Sequence, residues 1–210
     1  MIPSVNYSQH EILEHIKKLH CPKDTKCFDA DITYGNGVFW KNSHEPMLKY
    51  DICPQLPGVI QANSNSIPIN DDSLESVVYD PPFLTYVKKG RDHKEGNVIM
   101  SKRFGGYYKY KELEEDYNKT LIECHRVLRK NGIMVFKCQD IIHDHKMHCT
   151  HNMVINMAEE IGFRLEDLFV LAAKSRMAIP PTDGHAPKKQ KHARIFHSYF
   201  LVLKKIKSKK

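Results

Sequence analysis

The sequence predicts an α/β fold with a doubly wound sheet, and three observations lead to that class. Short apolar segments alternate with longer segments whose hydrophobic residues recur at helical spacing. A turn with two glycines follows the first apolar segment, and two consecutive prolines end a later one. Strands that alternate with helices form a sheet that binds its ligands at the carboxyl ends of the strands.

The first elements follow in order from the amino terminus. Four apolar residues share one face of a helix predicted over residues 7–19, and the sequence Cys-Pro-Lys ends it. A first strand is predicted over residues 26–31. Residues 33–37 then form the glycine-bearing turn, and the apolar residues 38–40 begin a helix or form an irregular hydrophobic plug.

Six further strands and two further helices complete the pattern. The strands are predicted at residues 47–52, 58–62, 76–80, 132–138, 165–172 and 197–203. One helix covers residues 109–129 and ends at an Asn-Gly stop signal, and the other covers residues 151–160 before a glycine. Only residues 53–57 separate the second and third strands, whereas a parallel crossover usually needs about a dozen or more residues. We therefore expect one of these two strands to be misplaced.

The composition is that of a globular protein. A chain of 210 residues with 41% hydrophobic residues can bury one sizeable core, so we expect a single domain over residues 1–210. No apolar run approaches the roughly 20 residues of a membrane span, and the first residues are too polar for a signal peptide. The predicted location is therefore cytoplasmic, with no membrane partner, and the dispersed cysteines are expected to be reduced thiols.

The charge balance favours a polyanionic partner. Lysine and arginine outnumber aspartate and glutamate by 32 to 25, which gives a net charge of +7. An excess of this kind is typical of proteins that bind nucleic acid. The alternative is that much of the excess belongs to a solvated basic tail, predicted at residues 205–210.

The most informative motif is Asp80-Pro81-Pro82-Phe83, which directly follows a buried strand. The two prolines fix the backbone and remove two N–H donors, so that carbonyl groups and the Asp80 carboxylate form an acceptor-only surface. An amino group on a flat heterocycle fits that surface, because its two N–H donors can meet Asp80 and the Pro81 carbonyl while Phe83 stacks on the ring. The motif therefore predicts a site for a nucleobase amino group.

This motif resembles the signature of the S-adenosylmethionine-dependent DNA amino-methyltransferase family, in which Asp, Asn or Ser precedes Pro-Pro and Tyr or Phe. Members of that family methylate adenine N6 or cytosine N4. The segment from Asp31 to Gly37 is similar to the family's cofactor loop, usually Asp-Pro-Phe-x-Gly-x-Gly. The order, with the cofactor loop before Asp-Pro-Pro-Phe, also resembles the family, and the likeness covers roughly residues 26–83, 108–140 and the last strand.

The resemblance implies a class I methyltransferase (Rossmann-like) fold, with a mostly parallel seven-stranded sheet and an antiparallel last strand. It implies S-adenosyl-L-methionine as the cofactor, with Asp51 in the place of the acid that holds the ribose hydroxyls and Asn63 in the place of the acid that accepts from the adenine amino group. The implied catalytic residues are Asp80, Pro81, Pro82 and Phe83. The implied cofactor-binding residues are Asp31, Thr33, Tyr34, Gly35, Asn36, Gly37, Asp51 and Asn63.

The implied reaction is methyl transfer to an exocyclic amino group of a DNA base, with adenine N6 as the first choice. RNA or tRNA amino-methyl transfer is the alternative, and a non-catalytic subunit that binds nucleic acid is another. The chain has no room for a separate target-recognition domain, so sequence choice is expected from loops, a recognition partner or a homodimer mate.

A long segment, residues 84–107, follows the motif and is predicted to be an inserted substrate loop. It interleaves cations that suit phosphates with aromatic rings that suit bases. The predicted nucleic-acid-binding residues are Lys88, Lys89, Arg91, Lys102, Arg103, Tyr107 and Tyr108. The alternative is a solvated charged loop whose tyrosines begin the next helix.

Residues 138–151 are rich in histidine and cysteine, which suggests zinc. Their spacing fits no regular zinc finger. We therefore expect no metal there, and a loop that leads into the next helix.

Overall fold

The computed structural model describes residues 1–85, 106–173 and 191–206. Among these residues the three α-helices are α1 (Gln9–His20), α2 (Tyr110–Val127) and α3 (Thr150–Ile161), and a short 3-10 helix covers Val38–Trp40. The strands are β1 (Val5–Asn6), β2 (Ala30–Asp31), β3 (Leu48–Asp51), β4 (Ile60–Gln61), β5 (Leu74–Tyr79), β6 (Leu128–Cys138), β7 (Ile141–His143), β8 (Lys146–His148), β9 (Phe163–Ala172) and β10 (His197–Lys205).

Eight of these strands form one sheet, in the order β1-β9-β10-β6-β5-β2-β3-β4. Strands β4, β3, β2, β5 and β6 pair in parallel, and β10 is antiparallel to both β6 and β9. The mostly parallel sheet and the antiparallel last strand are therefore confirmed. The seven predicted strands all belong to it, and β1 is an eighth that the sequence does not reveal, because two residues carry no periodic pattern.

The expectation that the second or third strand was misplaced is wrong. Strands β3 and β4 are both present and pair in parallel, with Tyr50 opposite Ile60. The chain passes between them without a helix, and β4 contributes only two exposed residues at the edge of the sheet. A crossover this short is possible because it does not have to bury a helix against the sheet.

Side chains on the two faces of the sheet form two separate hydrophobic clusters. Successive side chains of β6 point to opposite faces of the sheet. Met134 and Phe136 therefore belong to one cluster, while Ile133 and Val135 belong to the other. The first cluster lies beneath α2 and α3, and the second lies beneath α1 and includes Trp40. Residues 38–40 are therefore both a short helix and the hydrophobic plug that the sequence suggested.

Two other predictions about local structure need correction. Residues 141–148 form the hairpin β7–β8, in a separate two-stranded sheet, where a loop was expected. Lys205 is the last residue of β10 and is 3% exposed, so it does not belong to a solvated tail. The rest of the predicted tail, residues 207–210, lies outside the described residues.

The amino ends of β5 and β6 are joined by two cations, the buried Lys205 and the half-buried Arg126. Lys205 Nζ donates to Asp72 Oδ1 at 2.6 Å and to the carbonyls of His125 and Leu128 at 2.6 and 2.7 Å. The Arg126 guanidinium spans Glu123, Asp71 and the carbonyls of residues 67 and 69. This end of the sheet is closed by hydrogen bonds that leave the two cations well satisfied.

No helix among the described residues is long and apolar enough to cross a membrane.

Candidate active site at the carboxyl ends of β2, β3 and β5

The candidate site lies where the chain changes direction across the sheet. From β2 the chain continues to β3 and β4 on one side, and it then returns to β5 and β6 on the other. Strands β2 and β5 are neighbours, with Asp31 opposite Val78. A crevice forms at the carboxyl ends of two such strands, and ligands of open α/β sheets bind there.

The turn after β2 is organised around the carboxylate of Asp31, which is 1% exposed. Its Oδ1 accepts a hydrogen bond from the Thr33 backbone N–H at 2.7 Å, and its Oδ2 accepts one from Trp40 Nε1 at 2.6 Å. Burial raises the pKa of Asp31 to about 7, against the effect of these two donors. Both oxygens are engaged inside the protein, so Asp31 shapes the predicted cofactor loop from within.

The glycines of this turn adopt the left-handed conformation that favours glycine, with φ of 57° at Gly35 and 75° at Gly37. A Cβ added at Gly35 would lie in ordinary van der Waals contact, 3.9 Å from Asp51 Oδ2 and 3.9 Å from the Thr33 carbonyl oxygen. A Cβ at Gly37 would lie 3.0 Å from the hydroxyl of Tyr34, whose ring is buried against the turn. Gly37 is thus required by the packing of Tyr34, whereas at Gly35 the backbone conformation, and not crowding, favours glycine.

Asp51 ends β3 and ties that strand to the turn. Its Oδ2 accepts a hydrogen bond from the Gly35 N–H at 2.8 Å, and its Oδ1 accepts one from the Cys53 N–H at 2.7 Å. The structure therefore brings Asp51 to the turn that is predicted to bind the cofactor, although the segment from β3 to β4 is short. A carboxylate at the end of the strand next to β2 is the usual partner of ribose hydroxyls in such folds.

Asn36 lies in the turn after β2, and Asn63 lies two residues after β4. Asn36 Oδ1 accepts from the Val38 N–H at 3.4 Å, which links it to the start of the 3-10 helix. Asn63 follows β4, is exposed, and accepts from the Asn65 N–H at 3.0 Å through its side-chain oxygen. An amide oxygen has two lone pairs, so Asn63 retains one for a further donor.

The segment that begins at Asp80 is pinned at alternate residues. The Asp80 N–H donates to Thr33 Oγ1 at 2.8 Å, which joins it to the turn after β2. The carbonyl of Pro82 accepts from the Tyr117 hydroxyl at 3.2 Å, and the carbonyl of Leu84 accepts from the Tyr107 N–H at 3.0 Å. No hydrogen bond to the Pro81 carbonyl occurs among residues 1–85, 106–173 and 191–206.

The structure adds a residue that the sequence analysis missed, Lys137 near the end of β6. Its Nζ lies 3.3 Å from Asp80 Oδ2 and 3.0 Å from Gln9 Oε1. The signal was available, because Tyr79 pairs with Phe136 and alternation then places Asp80 and Lys137 side by side on the face covered by α1. A lysine inside an otherwise apolar strand is unusual and could have been noticed.

Most of the predicted nucleic-acid-binding residues, Lys88, Lys89, Arg91, Lys102 and Arg103, lie outside the described residues. The two tyrosines after them differ. Tyr107 is 7% exposed and donates its hydroxyl hydrogen to Asp116 Oδ2 at 2.6 Å, so its ring belongs to the core. Tyr108 is 44% exposed, and it is the tyrosine whose ring an external base could reach.

The histidine-rich segment forms a hydrogen-bonded cluster after β6. Asp140 accepts from His151 Nδ1 at 2.7 Å and from the Tyr199 hydroxyl at 3.2 Å. Burial and the nearby Asp140 raise the pKa of Tyr199 to about 12. Across the described part of the chain, no group of three or more potential ligands is arranged to hold a metal ion.

Comparisons with known proteins identify the fold of this chain. Neither a protein-family model nor a curated protein matches the sequence. Among solved structures, a protein from Galdieria sulphuraria provisionally assigned as a sarcosine dimethylglycine methyltransferase matches at 13% identity and a TM-score of 0.54, over 94% of this chain and 85% of that one. The chain has the class I methyltransferase fold. Its strand order, with β2 and β5 at the centre, carries the site described above.

Two further matches mark the limits of that likeness. The [4+2]-cyclase SpnF matches at 11% identity and a TM-score of 0.51, over 94% of this chain and 81% of that one, so the fold alone does not assign a reaction. A provisionally assigned DNA modification methylase from Thermus thermophilus matches at 16% identity and a TM-score of 0.42, over 71% of this chain. The chain spans about half of that protein, since the match covers 53% of its length.

Proposed function

We propose that this protein transfers a methyl group from S-adenosyl-L-methionine to an exocyclic amino group of a nucleobase, with adenine N6 in DNA as the preferred target. The observation that carries the proposal is the pairing of two acceptors at the end of β5. The Asp80 carboxylate and the Pro81 carbonyl follow β5 at the carboxyl ends of β2 and β5, and the Asp80 N–H donates to Thr33 Oγ1 in the turn that carries Gly35 and Gly37. The function rests on this geometry and on the Asp-Pro-Pro-Phe resemblance.

The described residues fit the proposed cofactor. At the carboxyl end of β2 the left-handed Gly35 leaves the backbone without a side chain, and Asp51 ends the neighbouring strand with a carboxylate that has lone pairs left after two hydrogen bonds. Gly35 and Gly37 would hold the methionine part, Asp51 the ribose hydroxyls, and Asn63 the adenine amino group. When bound, S-adenosyl-L-methionine supplies a methyl group on a positively charged sulfur.

The chemistry assigned to Asp80 follows from the electronic structure of the target. An exocyclic amino nitrogen is a weak nucleophile because its lone pair is delocalised into the ring. Acceptance of its two N–H bonds by Asp80 and the Pro81 carbonyl favours the pyramidal nitrogen, in which the lone pair is free to attack. The N–C bond forms as the S–C bond breaks and its electron pair returns to sulfur. Asp80 then faces the positive charge on nitrogen and accepts the proton that it loses.

The proposed macromolecular substrate is supported by charge. The net charge of +7 includes the cations of residues 84–107, and Tyr108, directly after that segment, presents an exposed ring. We assign phosphate contacts to Lys88, Lys89, Arg91, Lys102 and Arg103, and base stacking to Phe83 and Tyr108. Within a duplex the target base would have to leave the stack, at a cost of a few kcal/mol.

The test is transfer of tritium from the labelled cofactor to separate pools of unmethylated DNA, RNA and tRNA, followed by nucleoside analysis. The proposal expects N6-methyladenosine in its deoxy form, from DNA only. Asp80→Ala should lose the label, and Asp167→Ala, which changes an acid of β9 far along the sheet, should retain it. Label in RNA would change the proposed substrate from DNA to RNA. No label in any pool would overturn the proposed activity.

A further inference from the structure

Lys137 reaches the centre of the candidate site from the strand next to Asp80. Its ammonium lies 3.3 Å from Asp80 Oδ2, and its side chain is 14% exposed. Two aromatic rings flank that ammonium, with ring centres at 5.1 Å for Phe39 and 5.6 Å for Phe200. The rings hold the cation in place by cation–π attraction and by excluding water.

A second contact fixes the position of this ammonium. Gln9, the first residue of α1, accepts from Lys137 Nζ through Oε1 at 3.0 Å and donates from Nε2 to the Phe39 carbonyl at 2.6 Å. The amide thus connects the cation to the 3-10 helix that follows the glycine turn. Asp80, Lys137 and the cofactor loop are therefore linked by consecutive hydrogen bonds.

The charged and titratable groups around Asp80 come from three elements among the described residues. Asp31 at the end of β2 is a second acid, and its pKa is raised further by the charge on Asp80. Tyr117 of α2 is a buried phenol whose pKa is also raised by that charge. Lys137 of β6 is the one cation paired with Asp80 in this part of the chain. Burial raises the pKa of Asp80, and Lys137 opposes that effect.

We propose that Lys137 is a positioning residue that keeps Asp80 ionised and fixes its Oδ2, so that Oδ1 is presented as the acceptor for the target amino group. A protonated acid would donate one hydrogen and lose part of its acceptor capacity, which the target amino group requires. The proposal deepens the proposed function and rests on it for the identity of the target. The statement about the charge of Asp80 stands on the contacts alone.

The first experiment measures the Asp80 carboxyl directly. Protein labelled with 13C-aspartate is titrated by NMR, with Asp80→Asn to assign the signal, in the wild type, Lys137→Met, Lys137→Gln and Lys137→Arg. Removal of an opposite charge at this distance should raise the pKa of Asp80 by about one unit or more in the Met and Gln variants. The Arg variant retains the charge and should stay near the wild type. This readout needs neither cofactor nor nucleic acid.

The second experiment measures the pH dependence of methyl transfer. Activity requires ionised Asp80, so the rate falls as the pH drops through the pKa of that group. Because Lys137→Met and Lys137→Gln raise this pKa, the acid limb of kcat should move to higher pH by about the shift seen by NMR, and cofactor affinity should change only a few fold. Lys137→Arg should restore the limb. A residue needed only for folding would lower kcat at every pH alike.

The outcomes separate the two proposals. An unchanged Asp80 pKa in the folded Met and Gln variants overturns the role of Lys137, whatever the activity. If Lys137→Met does not fold, the Gln variant, which is one atom shorter than lysine but keeps a hydrogen-bond donor, gives the same decision. A raised Asp80 pKa in protein that transfers no methyl group to any nucleic-acid pool supports the electrostatic role of Lys137 and overturns the proposed function instead.

Discussion

Two buried lysines, at opposite ends of the same sheet, are held in very different ways. Lys205 at the amino end of β6 donates to three oxygens at 2.6–2.7 Å and is 3% exposed. Lys137 at the carboxyl end donates to two oxygens, at 3.0 and 3.3 Å, and is 14% exposed. An ammonium has three N–H donors, so the first lysine is fully satisfied by the protein and the second is not.

The difference distinguishes the end of the sheet that side-chain hydrogen bonds close from the end at which we propose the chemistry. At the amino end, Lys205 and Arg126 close the structure with short bonds to carbonyls and carboxylates. At the carboxyl end, Asp80 and Pro81 retain acceptor capacity that no described residue uses. Incomplete satisfaction of buried polar groups costs stability, and it is found where a ligand completes the bonding.

The largest effect should come from Asp80→Ala at the carboxyl end. Loss of an acceptor that faces developing charge should reduce kcat by about a thousandfold or more, since a single such group contributes about a hundred- to a thousandfold and Asp80 also takes the proton. Cofactor affinity, measured by calorimetry, should stay within a few fold, because the turn after β2 carries that contact. A near wild-type kcat would show that Asp80 takes no part in the reaction. It would also contradict the proposed functional difference between the two ends of the sheet.

Lys205→Met tests the amino end and should act on stability alone. It leaves two buried carbonyls without a donor, and each such group costs about 1–3 kcal/mol, so the free energy of unfolding should fall by about 2–4 kcal/mol in urea titration. The folded variant should keep the wild-type kcat at low temperature. Lys204→Met, at the preceding residue of β10, is the control and should cost less than about 1 kcal/mol. Equal costs for both variants would contradict the structural role.

Gly35→Val should weaken cofactor binding by about tenfold or more. A β-branched residue is strained at a φ of 57°, and its methyl groups would extend beyond a Cβ that already contacts Asp51 Oδ2 and the Thr33 carbonyl oxygen at 3.9 Å. Gly58→Val is a matched control, since Gly58 has a φ of 81° and nothing within 4 Å of an added Cβ. The control should show the strain in stability but bind the cofactor as the wild type does. Weakened binding in both variants would assign the effect to strain rather than to the site.

The smallest effect should be a difference in cysteine labelling. Cys53 and Cys149 are both exposed, but only Cys53 donates its backbone N–H to Asp51 at the proposed ribose site. S-adenosyl-L-methionine should therefore slow alkylation of Cys53 several fold and leave Cys149 unchanged, as read by peptide mass spectrometry. Burial raises the pKa of Cys124 and Cys138, and these thiols should react only after unfolding. Equal protection of Cys53 and Cys149 would place the ligand elsewhere.

The sequence predicts the carboxyl end better than the amino end, and the reason is physical. Residues that follow strands, such as Gly35 and Asp80, belong to short sequence motifs that can be recognised locally. These motifs are a glycine turn and a pair of prolines. The contacts of Lys205 and Lys137 join residues far apart along the chain, and only the strand register brings them together. From the sequence alone, Lys205 is therefore predicted to belong to a basic tail. Lys137 is then only one polar residue in the apolar strand predicted at residues 132–138.

Other differences have equally particular causes. Strand β4 has only two residues, and both are exposed. Neither its length nor its hydrophobic pattern could therefore show that a strand follows β3 after so short a crossover. Tyr107 and Tyr108 are identical in kind and adjacent, and the sequence could not tell that one packs on Tyr117 while the other faces solvent. The sequence also does not reveal that Asp31 accepts hydrogen bonds from Thr33 and Trp40, because the bond to Trp40 depends on how residues 38–40 pack; its predicted contact with the cofactor stays a prediction.

The bond between Trp40 and Asp31 has a spectroscopic consequence. Trp40 is the single tryptophan of the chain, and its indole N–H is held at 2.6 Å by a carboxylate inside the predicted cofactor loop. Indole emission depends on the polarity and charge around the ring, and all of the tryptophan fluorescence of this protein arises at that one position. Events at the glycine turn should therefore change the emission spectrum of the unmodified protein, which carries an intrinsic optical reporter where the cofactor is proposed to bind.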